Sequence, residues 1–227
     1  MVNNIIFDFG AVLVDWNPYY LYDPYFGDHA KAEKFLQTIH AFDWNAQVDA
    51  GRPSASITEE TVAKFPQWEK EIRMFYDRWI EMMGSPIPGM EALVREYKAR
   101  GYGVWGLTNW SNEFFPLVRD QYPVFSVLDG YVVSGVEKVI KPDPRLYRIL
   151  LDRYGLKAEE CGFIDDNPAN VAGAEAVGIK GILFKNAEQL RAELDLVLRG
   201  SERSDAGGFG GNAPRHYLAG LPAMRRS

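Results

Sequence analysis

Asn4-Ile5-Ile6-Phe7-Asp8-Phe9-Gly10-Ala11-Val12-Leu13-Val14-Asp15 decides how the rest of the chain is read. Ile5-Ile6-Phe7 is a short apolar run rich in Ile and Phe and closed by a glycine, which predicts a buried central strand of a parallel sheet. Asp8 then stands at the C-terminal tip of that strand, where open α/β sheets place their ligands. Much later a second apolar run, Cys161-Gly162-Phe163-Ile164, leads into Asp165-Asp166-Asn167-Pro168. Two acidic strand tips able to converge on one crevice point to a metal-assisted site with an aspartate nucleophile.

From residue 86 onward strands and helices alternate. Residues 90–100 form an amphipathic helix stopped by Gly101, and 102–107 a strand. Residues 112–121 are expected as a helix, 129–133 as a strand and 144–154 as a helix. The strand at 162–164, a helix at 168–177, a strand at 181–184 and a helix at 188–198 complete the series. Such alternation predicts an α/β fold, a doubly wound parallel sheet with right-handed crossovers. Residues 15–85 read differently, with helical spacing at 17–26, 30–39, 60–64 and 67–83 and no convincing strand. Ser56-Ile57-Thr58-Glu59 has the form of a capping box. The simplest organisation is a core of residues 1–14 and 86–199 with a helical cap, 15–85, inserted over the strand tips. Residues 200–227, rich in Gly, Ser, Ala and Arg, read as a disordered tail.

Charge narrows the partners. The chain has 227 residues and a net charge of −6; the final segment 200–227 is +2 by itself, which leaves the body at −8. An acidic body argues against nucleic acid, whose binding rests on Lys and Arg neutralising phosphates. No apolar stretch is long enough to span a bilayer, and Met1-Val2-Asn3-Asn4 lacks the basic start of a signal peptide. The single cysteine, Cys161, cannot form an internal disulfide and falls in a predicted strand, as a buried structural thiol would. These features suit a reducing, cytoplasmic compartment and a monomer or homodimer acting on a small molecule. His29, His40 and His216 show no spacing with other ligands that would suggest zinc.

Four places line up at predicted strand ends: Asp8 with Gly10, Thr108-Asn109, Lys141 in Val139-Ile140-Lys141-Pro142, and Asp165-Asp166. Taken singly each has an ordinary reading as a turn residue, a helix cap or a solvated lysine. In this order, with a helical insertion after the first, they resemble the four motifs of the haloacid dehalogenase-like superfamily from residue 4 to about 198. The resemblance implies that Asp8 attacks the substrate and is covalently modified, and that Mg²⁺ is bound by Asp8, Asp166 and the Gly10 carbonyl. It implies that Asp165 steers Lys141 rather than binding metal. Thr108 and the Asn109 amide would hold phosphoryl oxygens, and Lys141 would neutralise the nucleophile and the transferring group. Asp143-Pro144 and Asn167-Pro168 add N-cap and first-turn chemistry whose positive helix ends suit an anion.

The pattern departs from the phosphatases and mutases of that superfamily at one position. They usually carry a second aspartate two residues after the nucleophile, to protonate the leaving group and activate water; here that residue is Gly10. Mutase activity is therefore disfavoured, and a phosphatase needs another proton source: a water, a lid residue or an undemanding leaving group. Bacterial enzymes similar to α-D-glucose-1-phosphatase share this feature. Phe7-Asp8-Phe9-Gly10-Ala11-Val12 and Ile164-Asp165-Asp166-Asn167 match their first and fourth motifs. The resemblance thus implies a phosphatase acting on a small phosphorylated metabolite such as a sugar phosphate. Two alternatives stay open: a metal-independent 2-haloacid dehalogenase, disfavoured by Asp166, and a catalytically silent ligand-binding relative. Within the insertion, Trp16, Trp44 and residues 47–52 are candidates for facing substrate, with Arg52 alternatively forming a surface ion pair.

Overall fold

The computed structural model describes residues 2–202. β1 (Asn4–Phe7), β2 (Val14–Trp16), α1 (Tyr19–Phe26), α2 (His29–Thr38), α3 (Ala41–Asp49), α4 (Ser54–Lys64), α5 (Glu69–Asp77) and β3 (Met83–Pro86) come first. They are followed by α6 (Met90–Ala99), β4 (Gly103–Thr108), α7 (Phe115–Val118), α8 (Val124–Val127), β5 (Gly130–Val133) and α9 (Ser134–Glu137). The chain continues through α10 (Pro144–Tyr154), β6 (Cys161–Asp165), α11 (Pro168–Glu175), β7 (Lys180–Leu183) and α12 (Ala187–Glu202).

Five strands form one parallel sheet in the order β5-β4-β1-β6-β7, so the fold is α/β and doubly wound with β1 at its centre. The apolar run explains that position: Ile5, Ile6 and Phe7 are fully buried. Alternate residues point to opposite faces. Ile5 and Phe7 join the apolar cluster on one side, and Ile6 joins Leu107, Leu146, Leu150 and Phe163 on the other. Phe7 lies beside Gly106 of β4 and Ile164 of β6, and the Asp8 amide donates to the Ile164 carbonyl at 2.9 Å. The first carboxylate is thereby brought level with the end of β6. Phe9 fits because Gly106 has no side chain; a Cβ there would stand 2.4 Å from the Phe9 ring.

Helices α1 to α5 lie between β2 and β3, which pair antiparallel with Val14 beside Pro86 and Trp16 beside Met83. This ribbon corrects the expectation of no strand in that region. Three- and four-residue strands, one containing glycine and proline, are too short to show a period. The helix α3 is also additional to the expected set. The capping box is corrected too: α4 starts at Ser54 after Pro53, so Ser56 lies inside the helix with its hydroxyl turned to Glu60. The cap comes from elsewhere. Glu113 accepts from the Ser54 amide at 2.9 Å and from its hydroxyl at 2.5 Å. Removing it as Glu113→Ala is expected to cost about 1 kcal/mol, a drop in Tm of about 2–4 °C for a domain of this size. An unchanged thermal melt would show that the contact contributes nothing.

The expected helix at 112–121 shrinks to α7 and a short 3-10 turn, because Pro116 fits only a first turn. At the other end α12 reaches Glu202, so residues 200–202 of the expected tail are helical, while the rest, including His216, lies outside the described residues. Cys161 is fully buried, and desolvation pushes its thiol up to about 12, which makes it inert. Among the described residues no helix is long and apolar enough to cross a membrane.

Candidate active site

Sheet order brings the four motifs together, three of them at the ends of β1, β4 and β6. The fourth, Lys141, expected at a strand end, lies on the loop between α9 and α10 because no strand forms before it. Lys141 is their centre: a fully buried ammonium that donates to Asp8 at 2.8 Å, to Asp165 at 2.7 Å and to the Leu107 carbonyl at 2.9 Å. Those three bonds satisfy all three of its protons. Burial alone would lower the lysine, but Asp8 and Asp165 hold it above its ordinary range. Asn109 fixes the backbone beneath it, donating to the Lys141 carbonyl at 3.0 Å and accepting from the Lys141 amide at 2.8 Å. The Asn109 side chain is thus occupied, while Thr108 is buried at the end of β4. The Lys141-Pro142 peptide bond is cis.

Asp8 is 8 % exposed and accepts its neighbour Phe9's amide at 2.7 Å. Desolvation pushes it up to about 7, with Asp165 adding to the rise and Lys141 opposing it. Asp165 is fully buried and held by the Asn167 amide at 2.9 Å and by Asn170 at 3.0 Å. It accordingly serves the lysine. Asp166 faces outward; desolvation on its protein side, followed by Asp165, holds it above its ordinary range. Oxygen atoms of Asp8, Asp165 and Asp166 lie within 4.8 Å of one another. Three carboxylates against one ammonium leave an excess of negative charge made wholly of hard oxygen donors, the set that Mg²⁺ prefers. At the flanking helix starts, Asp143 accepts from the Arg145 amide and Asn167 from the Ala169 amide, both at 2.9 Å.

Beside this cluster is a cavity of about 140 Å³ onto which Gly10 opens. Trp16, Trp79, Trp110 and Phe114 give it aromatic walls, and Asn45, Asp49, Asn109 and Ser111 line it with polar atoms. Of the expected substrate-facing residues, Trp16 is here. Trp44 is not among the lining residues: it is buried against Phe75 and Tyr76, with ring centroids 4.6 and 5.2 Å away, because α3 turns that side inward. Gln47 and Arg52 bond to each other at 2.6 Å, and Arg52 forms the surface ion pair, with Glu60. Within 47–52 the residue that reaches the cavity is Asp49. Trp110 and Ser111 were also missed, although they directly follow the Thr108-Asn109 strand tip, a signal that was there to use.

Comparison with known proteins identifies the family and the fold. A model of the haloacid dehalogenase-like hydrolase family matches residues 3–178. The chain is similar to the sesquiterpene phosphatase astK of Aspergillus oryzae, 29% identical over 178 residues, covering 78% of this chain and 87% of that one. It is also similar to the (S)-2-haloacid dehalogenase 4A of Burkholderia cepacia, 29% identical over 98 residues, but spans only 42% of that protein. A Bacteroides thetaiotaomicron enzyme of the same fold, solved with magnesium and inorganic phosphate, superposes with a TM-score of 0.61 at 19% identity, covering 82% of this chain and 96% of that one.

Proposed function

This chain belongs to the haloacid dehalogenase-like hydrolases, and from that premise we propose that it is a Mg²⁺-dependent phosphatase working through an aspartyl-phosphate on Asp8. The observation that carries the reading is Asp166, a third carboxylate beside Asp8 and Asp165. A phosphate ester and a carboxylate nucleophile repel one another, and so would a 2-haloacid and this cluster. An enzyme without a cation has no use for the extra charge. Asp8, Asp166 and the carbonyl of Gly10 would hold Mg²⁺, which when bound cancels that repulsion. Asp8 then attacks phosphorus, Thr108 and the Asn109 amide receive phosphoryl oxygens, and Lys141 keeps Asp8 oriented and counterbalanced. The similarity to astK supports phosphatase over dehalogenase chemistry.

The substrate is a small phosphorylated metabolite, in our reading a sugar phosphate such as glucose 1-phosphate. Trp16, Trp79 and Trp110 offer aromatic faces and Asn45, Asp49 and Ser111 offer polar atoms along the cavity wall, a lining that suits a sugar better than a terpene hydrocarbon. The buried lone thiol and acidic body fit a cytoplasmic enzyme with no nucleic-acid partner, monomeric or homodimeric.

Phosphate release from a panel of sugar phosphates and prenyl phosphates tests both levels. Activity with Mg²⁺ is expected to fall at least about 100-fold with chelator, since charge compensation of this kind is worth several kcal/mol, and to return when Mg²⁺ is added back. Chelator-resistant halide release from 2-haloacids would establish the dehalogenase instead. Binding of phosphorylated compounds with no turnover would mark a silent relative.

A further inference from the structure

Gly10 leaves the enzyme without a proton donor beside the nucleophile, and a Cβ built there meets nothing within 4 Å. The space it leaves is part of the aromatic cavity, where Asp49 is the one titratable side chain among the lining residues. We propose that Asp49, contributed by α3, protonates the departing oxygen and then activates the water that hydrolyses the aspartyl-phosphate. This assignment rests on the phosphatase reading above.

Four hydrogen bonds place the group. The Asp49 carbonyl accepts from the Ser134 hydroxyl at 2.5 Å, and that hydroxyl accepts from the Trp110 amide at 2.9 Å, so the end of α3 is pinned to the strand-tip loop. Asn45 donates to the Asp49 carboxyl at 3.0 Å. Tyr76 donates to the Asn45 carbonyl oxygen at 3.1 Å, which turns the amide nitrogen toward Asp49. The residue keeps some accessible surface, yet its carboxyl is densely surrounded by protein atoms. Desolvation therefore pushes it up to about 8, opposed by the Ser111 amide and reinforced by Asp8, with Tyr76 the other titratable group that senses it. A carboxyl that is protonated at neutral pH can donate, where an ordinary one could only accept.

The steps balance. As an Asp8 oxygen bonds to phosphorus, the bond from phosphorus to the leaving oxygen breaks and that oxygen takes the Asp49 proton, leaving as an alcohol. The Asp49 carboxylate next removes a proton from water while the oxygen of that water bonds to phosphorus. The bond from phosphorus to Asp8 breaks, releasing phosphate, free Asp8 and protonated Asp49.

The test is Asp49→Asn, which preserves shape, with the full enzyme, Mg²⁺ and two leaving groups. With an alkyl phosphate the single-turnover rate is expected to fall roughly 10²–10⁴-fold, the usual worth of a positioned acid. With p-nitrophenyl phosphate, whose leaving group needs no proton, the first turnover should fall at least about tenfold less, appearing as a burst before slow steady-state release. The wild-type rate on alkyl phosphate should decline above about pH 8, a limb absent from the variant. Gly10→Asp added to Asp49→Asn should recover alkyl phosphate turnover, since that side chain has room. Equal losses on both substrates, or none on either, overturn the assignment of Asp49 and leave the phosphatase reading standing. A wild-type enzyme that releases no phosphate from any ester overturns both.

Discussion

Asp8→Asn is expected to abolish turnover, by roughly 10⁴–10⁶-fold as for other nucleophile deletions, while leaving the melting temperature unchanged or higher. The activity loss follows from removing the carboxylate that the proposed mechanism uses as its nucleophile. The stability result is less intuitive. Asp8 and Asp165 share one buried ammonium, and Asp165 is already held by Asn167 and Asn170. Converting Asp8 to the amide leaves a one-to-one ion pair in place of two carboxylates and one lysine. Desolvation has also lifted Asp8 from 3.8 to about 7, so the folded protein holds that proton more tightly than the unfolded chain does. The stability associated with this group is therefore full below about pH 4 and is lost as pH rises through about 7. The asparagine variant should lack that decline. Melting curves of both proteins without metal between pH 4 and 8 decide the matter; a variant less stable than wild type at pH 8 would refute this account of the cluster.

Lys141→Met is expected to be strongly destabilising. The methionine fills nearly the same volume, so the cost is electrostatic: Asp8 and Asp165 are left buried without their cation, and the Leu107 carbonyl loses its donor. Breaking a buried pair from one side typically costs roughly 3–5 kcal/mol, or a fall of roughly 6–20 °C in Tm for this size of domain. Turnover should fall by at least roughly 10²–10³-fold, the scale for removing one preorganised charge from a transition state. Adding Asp165→Asn should recover much of the stability but none of the rate. A single variant that melts within 2–3 °C of wild type, about 1 kcal/mol, would mean that the three charges are not coupled.

The sheet and its acidic tips were legible because their signals are local. Ile5-Ile6-Phe7 and Gly162-Phe163-Ile164 are apolar on both faces, as only a central strand can be, and each runs straight into carboxylates. Lys141 could be placed by order along the chain, but not its three bonds, which need strands β1, β4 and β6 side by side. The helix that carries Asp49 was hidden for a different reason. The helix α3 begins at His40, in the left-handed region at φ 53° with no side-chain cap, and Phe42 on its surface is 53% exposed. Start signal and apolar stripe were both obscured. The cap of α4 could not be read at all from neighbouring residues, since Glu113 is 59 positions from Ser54. The bonds of Lys141 and the cap of α4 are contacts made in space rather than in sequence.

The pairing of Val14 with Pro86 and Trp16 with Met83 has a further consequence. Both threads of the helical excursion leave the parallel sheet through a single doorway, side by side, so its contents can lengthen, shorten or be exchanged while strand register behind them stays put. The excursion can thereby change while the strand tips that carry Asp8 and Asp165 stay where they are. On the proposed mechanism, substitutions among α1 to α5 retune what is admitted and, through Asp49, how the leaving oxygen is protonated.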